Sequence, residues 1–347
     1  MGTWGDKMVL RNEKRHCLLV FIIITGWLIP GTVAAGPVLA GCAVFPPDNI
    51  WNTPVADLPV DARSDSYIAS MGADTGLHAD FGSGTWNGGP IGIPLTLVDN
   101  TQPMVAVGFD YADESDAGPY PIPDDAAIEG GSQADGDRHV LILQTDSCIL
   151  YELFNARQQT GHSWHAGSGA RFDLKAHALR PDGWTSADAA GLPILPGLVR
   201  YEELASGHLD HAVRFTAVHT RKEHLWPARH DASSLTGMTY PPMGQRFRLK
   251  ADVDISGFPP MVRVLLQAMK TYGIILADNG ANWFISGVPD DRWDNDLLHQ
   301  LGNIKGSDFE AVDVSSLMEN PDSGRVKGAA RPVTGRAMPQ LYLLLRD

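Results

Sequence analysis

Hydrophobic and polar positions follow two regimes along this chain. Near the start, a basic run (Lys7, Arg11, Lys14, Arg15) precedes an unbroken apolar block from Cys17 to Ile24. The block continues through Trp27, Leu28 and Ile29 and gives way to small residues at Gly31–Ala35. Basic, then apolar, then small is the order of a secretory signal peptide, here residues 1–35. The block is short for a bilayer span and is broken at Pro30, which weighs against a retained membrane anchor.

Beyond residue 36 the apolar residues come in short runs divided by Gly, Pro, Asn and Asp, the pattern of strands and turns. Residues 93–98 and 104–107 read as paired strands around Asp99–Pro103. His139–Leu143 and Ile149–Phe154 form the clearest hairpin, joined by Thr145–Ser147. His211–Val218 alternates as a strand and Arg246–Leu249 is another. Ile274–Ala277 and Trp283–Ile285 read as a hairpin about Asp278–Gly280. Helical spacing is confined to Pro260–Tyr272, which starts on Pro and stops at Gly273, to residues 291–301, and to a short piece at Ser186–Ala190. No βαβ alternation occurs, which argues against a doubly wound sheet. The expected fold is mainly β: an antiparallel β-sandwich or jelly roll with long loops and two or three short helices. It fills one domain, 36–320. A loose tail, 321–347, follows, with Leu341–Leu345 as a last strand.

Charge and cysteines narrow the setting. The 347 residues carry a formal charge of −14, which becomes −16 once residues 1–35 are removed. Nucleic acids and anionic membranes both need a positive field, so neither is an expected partner. Of three cysteines, Cys17 lies in the leader, leaving Cys42 and Cys148. An even pair in an oxidising compartment reads as a disulfide. The rival reading takes Leu39-Ala40-Gly41-Cys42 as a lipobox, with Cys42 lipidated and Cys148 left alone. Either way the protein is exported, to the periplasm or beyond the cell.

Several groups of residues carry candidate chemistry. Glu152 lies among apolar neighbours, where a carboxyl gains a raised pKa suited to a general acid; an ion pair with Arg138 is its structural alternative. Asp173 and Asp278 are the other carboxylate candidates for glycoside hydrolysis, which needs two. A β-elimination would instead use His211, His230 and Arg229, a base and a cation. The stretch Gly161–Gly169 departs from a serine-hydrolase elbow, because His165 stands where glycine is needed. Trp164 within it, with Trp226 and Trp283, reads as a stacking surface for sugar rings beside Arg229 and Asn279. No His-x-x-x-His or His-Glu-x-x-His spacing occurs. The expectation is no cofactor, with a divalent metal held by distant residues such as His78, Asp80 and His139 left as the alternative.

The segments Val44–Asn49 with Trp51-Asn52, Asp137–Leu141, Trp184 to Arg200, Trp226 to His230 and Ile275 to Gly280 together resemble a family of exported proteins from soil-type bacteria with no assigned function. The resemblance covers most of residues 42–317. It implies export and one domain, and brings no catalytic residue. Together these readings favour a secreted carbohydrate-active enzyme cleaving a polysaccharide by hydrolysis or β-elimination. A non-catalytic glycan-binding or envelope protein is one alternative; a metal-dependent hydrolase or oxidoreductase using a histidine cluster is another.

Overall fold

The structure is a computed structural model that describes residues 1, 2 and 36–328. The chain divides into two units, Met1–Val33 and Ala34–Asp347, and every described strand and helix belongs to the second. The expected signal peptide and the Leu341–Leu345 strand lie outside the described residues. With 27% strand against 17% helix, the chain is mainly β, built from several sheets and a few short helices.

Two sheets carry the architecture. The smaller runs in the order Ser168–Asp173, Ile149–Phe154, Val140–Gln144, Leu95–Val98. Its centre is the expected hairpin, with Val140 opposite Leu153 and Gln144 opposite Ile149. Alternate side chains of this hairpin enter different cores. Leu141, Leu143 and Leu150 join the main core, while Val140, Ile142, Tyr151 and Leu153 pack with Tyr120, Ile122 and Trp164. A strand buried on both faces needs apolar residues at every position, which explains the continuous runs. Each such side chain contributes about 1.5–3 kcal/mol relative to exposure.

The larger sheet has six strands in the order Phe309–Val312, Arg246–Leu249, Ile274–Asn279, Val213–Ala217, Phe284–Ser286, His78–Asp80. The helix Pro260–Thr271 precedes its central strand and buries Val262, Leu265, Leu266 and Met269. Gly273 makes the turn between them at φ +71, and an added Cβ would meet the Phe247 carbonyl oxygen at 2.2 Å. Shorter helices occupy Ser64–Met71, Tyr201–Ser206 and Asn295–His299.

Pairing departs from the local expectation in two places. The 274–279 and 284–286 strands are not a hairpin: Val213–Ala217 inserts between them, parallel to the first and antiparallel to the second. Likewise 95–98 pairs in parallel with 140–144, and Val107–Phe109 pairs in parallel with Ser163–Ala166. Both partners come from far along the chain, where turn chemistry gives no signal. Ser186–Ala190 is a turn rather than a helix, because the Ser186 hydroxyl donates to the Asp188 and Leu192 carbonyls and closes the chain on itself. The segment from 318 to 328 is tied down, with Met318 bridging Val326 and Ser323 bridging Ala178.

The disulfide joins Cys42 to Cys148, with Cα atoms 5.5 Å apart. It fastens the first described strand pair, Val38–Leu39 with Cys42–Ala43, to the hairpin of the smaller sheet. A lipid on Cys42 would need the same sulfur. No helix among the described residues is long and apolar enough to cross a membrane.

Candidate active site

The larger sheet places Arg214 in its middle, and this guanidinium organises the site. Arg214 Nε and one terminal nitrogen grip Asp188 at 2.7 and 2.6 Å, the forked geometry that suits a carboxylate. The nitrogen that meets Asp188 Oδ1 also donates to Asp278 Oδ2 at 3.0 Å, and the other terminal nitrogen donates to Ser286 Oγ at 2.6 Å. Asp278 comes from the neighbouring strand and Ser286 from the strand on the other side. Asp188 hangs over the sheet on the 185–191 turn, which is anchored there by Ala190 N donating to Ala277 O. Arg214 and Asp188 are both buried, so neither can lose its partner without leaving a charge stranded.

Two carboxylates thus share one guanidinium nitrogen, and they are not equivalent. Asp188 is fully buried and held by two nitrogens. Asp278 is held by one, plus its neighbour's backbone N–H (Asn279), and its side chain remains 17% exposed. Burial, reinforced by the negative charge of Asp188, pushes Asp278 up to about 7, against the opposing pull of Arg214. Burial thus moves Asp278 toward the protonated form, while the donors Arg214 and Asn279 N favour the carboxylate.

Asp278 lines a cavity of about 430 Å³ with Asp137, Glu114, His230, Asn279 and Tyr111, a volume in the range of small-ligand sites. Asp137 is exposed, and its carboxylate meets no side chain or backbone donor among the described residues. Glu114 accepts from Thr185 N at 3.2 Å, and the His230 ring is held by the Ala189 carbonyl at 2.8 Å. Asn279 gives its amide nitrogen to Ala217 O and Thr220 Oγ1, leaving Oδ1 buried with no donor of the protein among the described residues.

Behind this cavity lies a second charged pair. His139 Nδ1 is 2.6 Å from Glu129 Oε2 and its Nε2 is 3.0 Å from the Ala187 carbonyl oxygen. Both ring nitrogens face acceptors, so both carry protons and the ring is a cation. Although burial opposes the charge, Glu129 raises His139 to about 9.

Among the sequence candidates, the structure brings Asp278, Asn279 and His230 to one cavity and disperses the rest. Glu152 is wholly buried, its carboxylate accepting from Ile194 N and Leu195 N and holding the turn into Leu195–Gly197. Burial raises it to about 7, but no solvent reaches it. Arg138 instead donates to the carbonyls of Ala156, Ser132 and Ala134. Asp173 is exposed at the end of its strand and accepts from Lys175 N. His211 is buried against Glu203, and Arg229 is buried holding Arg180 O, Pro321 O and Asp322. The elimination set is therefore not assembled.

The tryptophans are also redistributed. Trp164 and Trp283 are core residues, because indole is mostly apolar surface. Trp283 stacks on Phe215 and Phe309, and its Nε1 donates to the carbonyls of Met71 and Gly72. Trp226 is half-buried, donating to Ser323 O. Among the described residues no three His, Cys, Asp or Glu side chains converge to hold an ion. His78 and Asp80 line a different cavity from His230, and His139 is committed to Glu129.

Sequence reasoning missed Asp188, Arg214 and Asp137 as a unit. They come from three distant segments, and only the non-local insertion of the 213–217 strand brings Arg214 beside Asp278. Comparison with protein-family models, curated proteins and solved structures finds no match for the chain.

Proposed function

We propose that the protein is an exported carbohydrate-active enzyme that hydrolyses a glycosidic bond, with Asp278 as the general acid. The observation that carries this reading is the placement of Asp278, a carboxyl that burial pushes up to about 7, in the lining of a small-ligand cavity that Asp137, a carboxylate with no donor among the described residues, also lines. Glycoside hydrolysis needs this division of labour: one carboxyl to protonate the leaving oxygen, the other to attack the anomeric carbon or activate water. Asp188 and Arg214 act as positioning residues. Burial raises Asp278, the charge of Asp188 reinforces it, and Arg214 fixes Asp188 and Asp278 in place.

Hydrolysis is favoured over elimination because Arg214 is consumed by Asp188, Asp278 and Ser286, so no guanidinium of this site is free to neutralise a uronate. Export rests on the N-terminal sequence and agrees with the disulfide, which forms and persists in oxidising compartments.

The test is release of new reducing ends from a panel of polysaccharides by the mature protein, its Asp278→Asn and its Asp137→Asn variants. The expected result is release by the wild type and a loss of about 10²-fold or more on removing the acid, on the scale of general acid catalysis. The anomer first released shows whether Asp137 attacks or activates water. No release from any polysaccharide, or full activity in Asp278→Asn, would overturn the proposal.

A further inference from the structure

A second cavity, of about 530 Å³, shares no lining residue with the first and takes no part in the chemistry above. Its walls are the aromatic rings of Trp86, Phe81 and Phe284 with His78, His299 and Asp80. Trp86 is 73% exposed, whereas every other tryptophan among the described residues is buried or half-buried. A large indole left in water beside a cavity is surface that a ligand can cover.

Its placement is fixed. Trp86 sits on the ribbon Thr85–Trp86 with Gly89–Pro90, closed by Asn87 and Gly88, both at positive φ. This is the Asn-Gly turn of a tight hairpin. The ribbon lies directly on the Gly130–Gly131 backbone: a Cβ on Gly89 would stand 1.9 Å from the Gly130 carbonyl carbon. The next residue back is Glu129, which lines this cavity and bonds His139.

His139 is the partition between the two cavities. One ring nitrogen touches Glu129 of the second cavity and the other touches the carbonyl of Ala187, which lines the first. A single imidazole therefore separates the walls. Glu129 N also donates to His139 O, two residues after Asp137 of the first cavity. The sheet makes the same connection: Arg214, Ser286 and Asp80 stand on adjacent strands, with Ser286 opposite Asp80. The Asp80 carboxylate makes no hydrogen bond or ion pair to the described residues, while its backbone belongs to the strand ladder.

From this geometry we infer that the two cavities are subsites of one cleft that holds a glycan chain free of anionic groups, with Trp86 stacking a sugar ring other than the one cut at Asp278. The lining charges set the exclusion. Asp80 and Glu129 in one subsite, and Asp137, Asp278 and Glu114 in the other, meet a ligand with no free guanidinium to balance a carboxylated sugar. The exposed indole offers an apolar face to the ring, and Asp80 offers acceptors to its hydroxyls. The inference rests on the hydrolytic reading and extends it from a bond to a chain.

The experiment measures binding to Asp278→Asn protein, which does not turn over, and cleavage by the wild type, each with and without Trp86→Ala. The probes are cello-, manno- and chito-oligosaccharides from disaccharide to hexasaccharide, and galacturonate oligosaccharides of the same lengths. Affinity for at least one neutral series should rise with length, and Trp86→Ala should remove that rise, weakening the longest chain about tenfold, the scale of one aromatic contact. Trp86 is exposed on a surface ribbon, so the variant folds, and unchanged melting checks this. Neutral chains bound with the same length dependence in Trp86→Ala would overturn the second subsite alone and leave Asp278 standing. Galacturonate chains bound as tightly as neutral ones would overturn the charge selection. No binding or cleavage of any oligosaccharide would overturn the hydrolytic reading together with the inference.

Discussion

Replacing His139 with Gln tests the electrostatics beneath the cleft, and the size of the effect follows from the structure. In the folded protein His139 is held as a cation by Glu129 and titrates near 9, against its ordinary 6.5. A raised histidine stabilises the fold fully below 6.5 and loses that contribution as pH rises through 9. The 2.5-unit difference corresponds to about 3 kcal/mol, and the ring is buried, so solvent screening removes little of it. The assay is urea unfolding followed by tryptophan fluorescence from pH 5 to 10. Glu152 and Asp278, both raised to about 7, weaken folding as pH rises from their ordinary values to 7, and the His139 charge opposes that rise in both, as it does in Glu129. In His139→Gln these carboxyls are pushed higher and titrate further into the same window, which offsets part of the histidine's own effect. The difference between wild type and His139→Gln should therefore shrink between pH 6.5 and 9.5 by up to about 3 kcal/mol. Parallel profiles across that window would refute the assignment of a buried imidazolium.

Other consequences are equally direct. Activity should fall on the alkaline side with an apparent pKa near 7 as Asp278 loses its proton; a flat profile from pH 6 to 9 would count against it as the acid. Arg214→Met strands Asp188 without a partner and should cost about 3–5 kcal/mol in urea unfolding, whereas Arg214→Met combined with Asp188→Leu should recover part of it. The Cys42–Cys148 bridge closes a sequence separation of 106 residues, so removing it as the double serine variant should cost about 4–5 kcal/mol on the loop-entropy account, read as a lowered Tm. Gly89→Ala should push the Trp86 ribbon off the Gly130 backbone and weaken binding of long neutral oligosaccharides more than of disaccharides.

What the sequence revealed and what it concealed divide along contact range. The 140–154 hairpin, the 260–271 helix and the Cys42–Cys148 pairing rest on local apolar runs, a proline start with a glycine stop, and cysteine parity, and all three are present. The Ile274–Ser286 segment carried an equally good hairpin signal at Asp278–Gly280, yet the Val213–Ala217 strand, far earlier in the chain, takes the pairing. That insertion makes the site, because it sets Arg214 beside Asp278. Asp188 was hidden for a similar reason: alanines around it suggest a helix, while the Ser186 hydroxyl bends the chain into a turn that aims the carboxylate at Arg214. Glu152 showed the right physics in the wrong place. Apolar neighbours raise its pKa as expected, but the same neighbours seal it from any substrate. Trp86 had a readable signal in the Asn87-Gly88 turn, which fixes a ribbon too short to bury an indole.

The central claim is that Asp278 holds a proton near neutrality and gives it up in catalysis. The most direct measurement is the titration of its carboxyl carbon by NMR, assigned by the signal missing from Asp278→Asn, alongside the pH–rate profile on the same preparation. The account predicts a midpoint near 7 that coincides with the alkaline limb of activity. A midpoint near the ordinary 3.8, or one near 7 with activity unchanged across it, would contradict the claim.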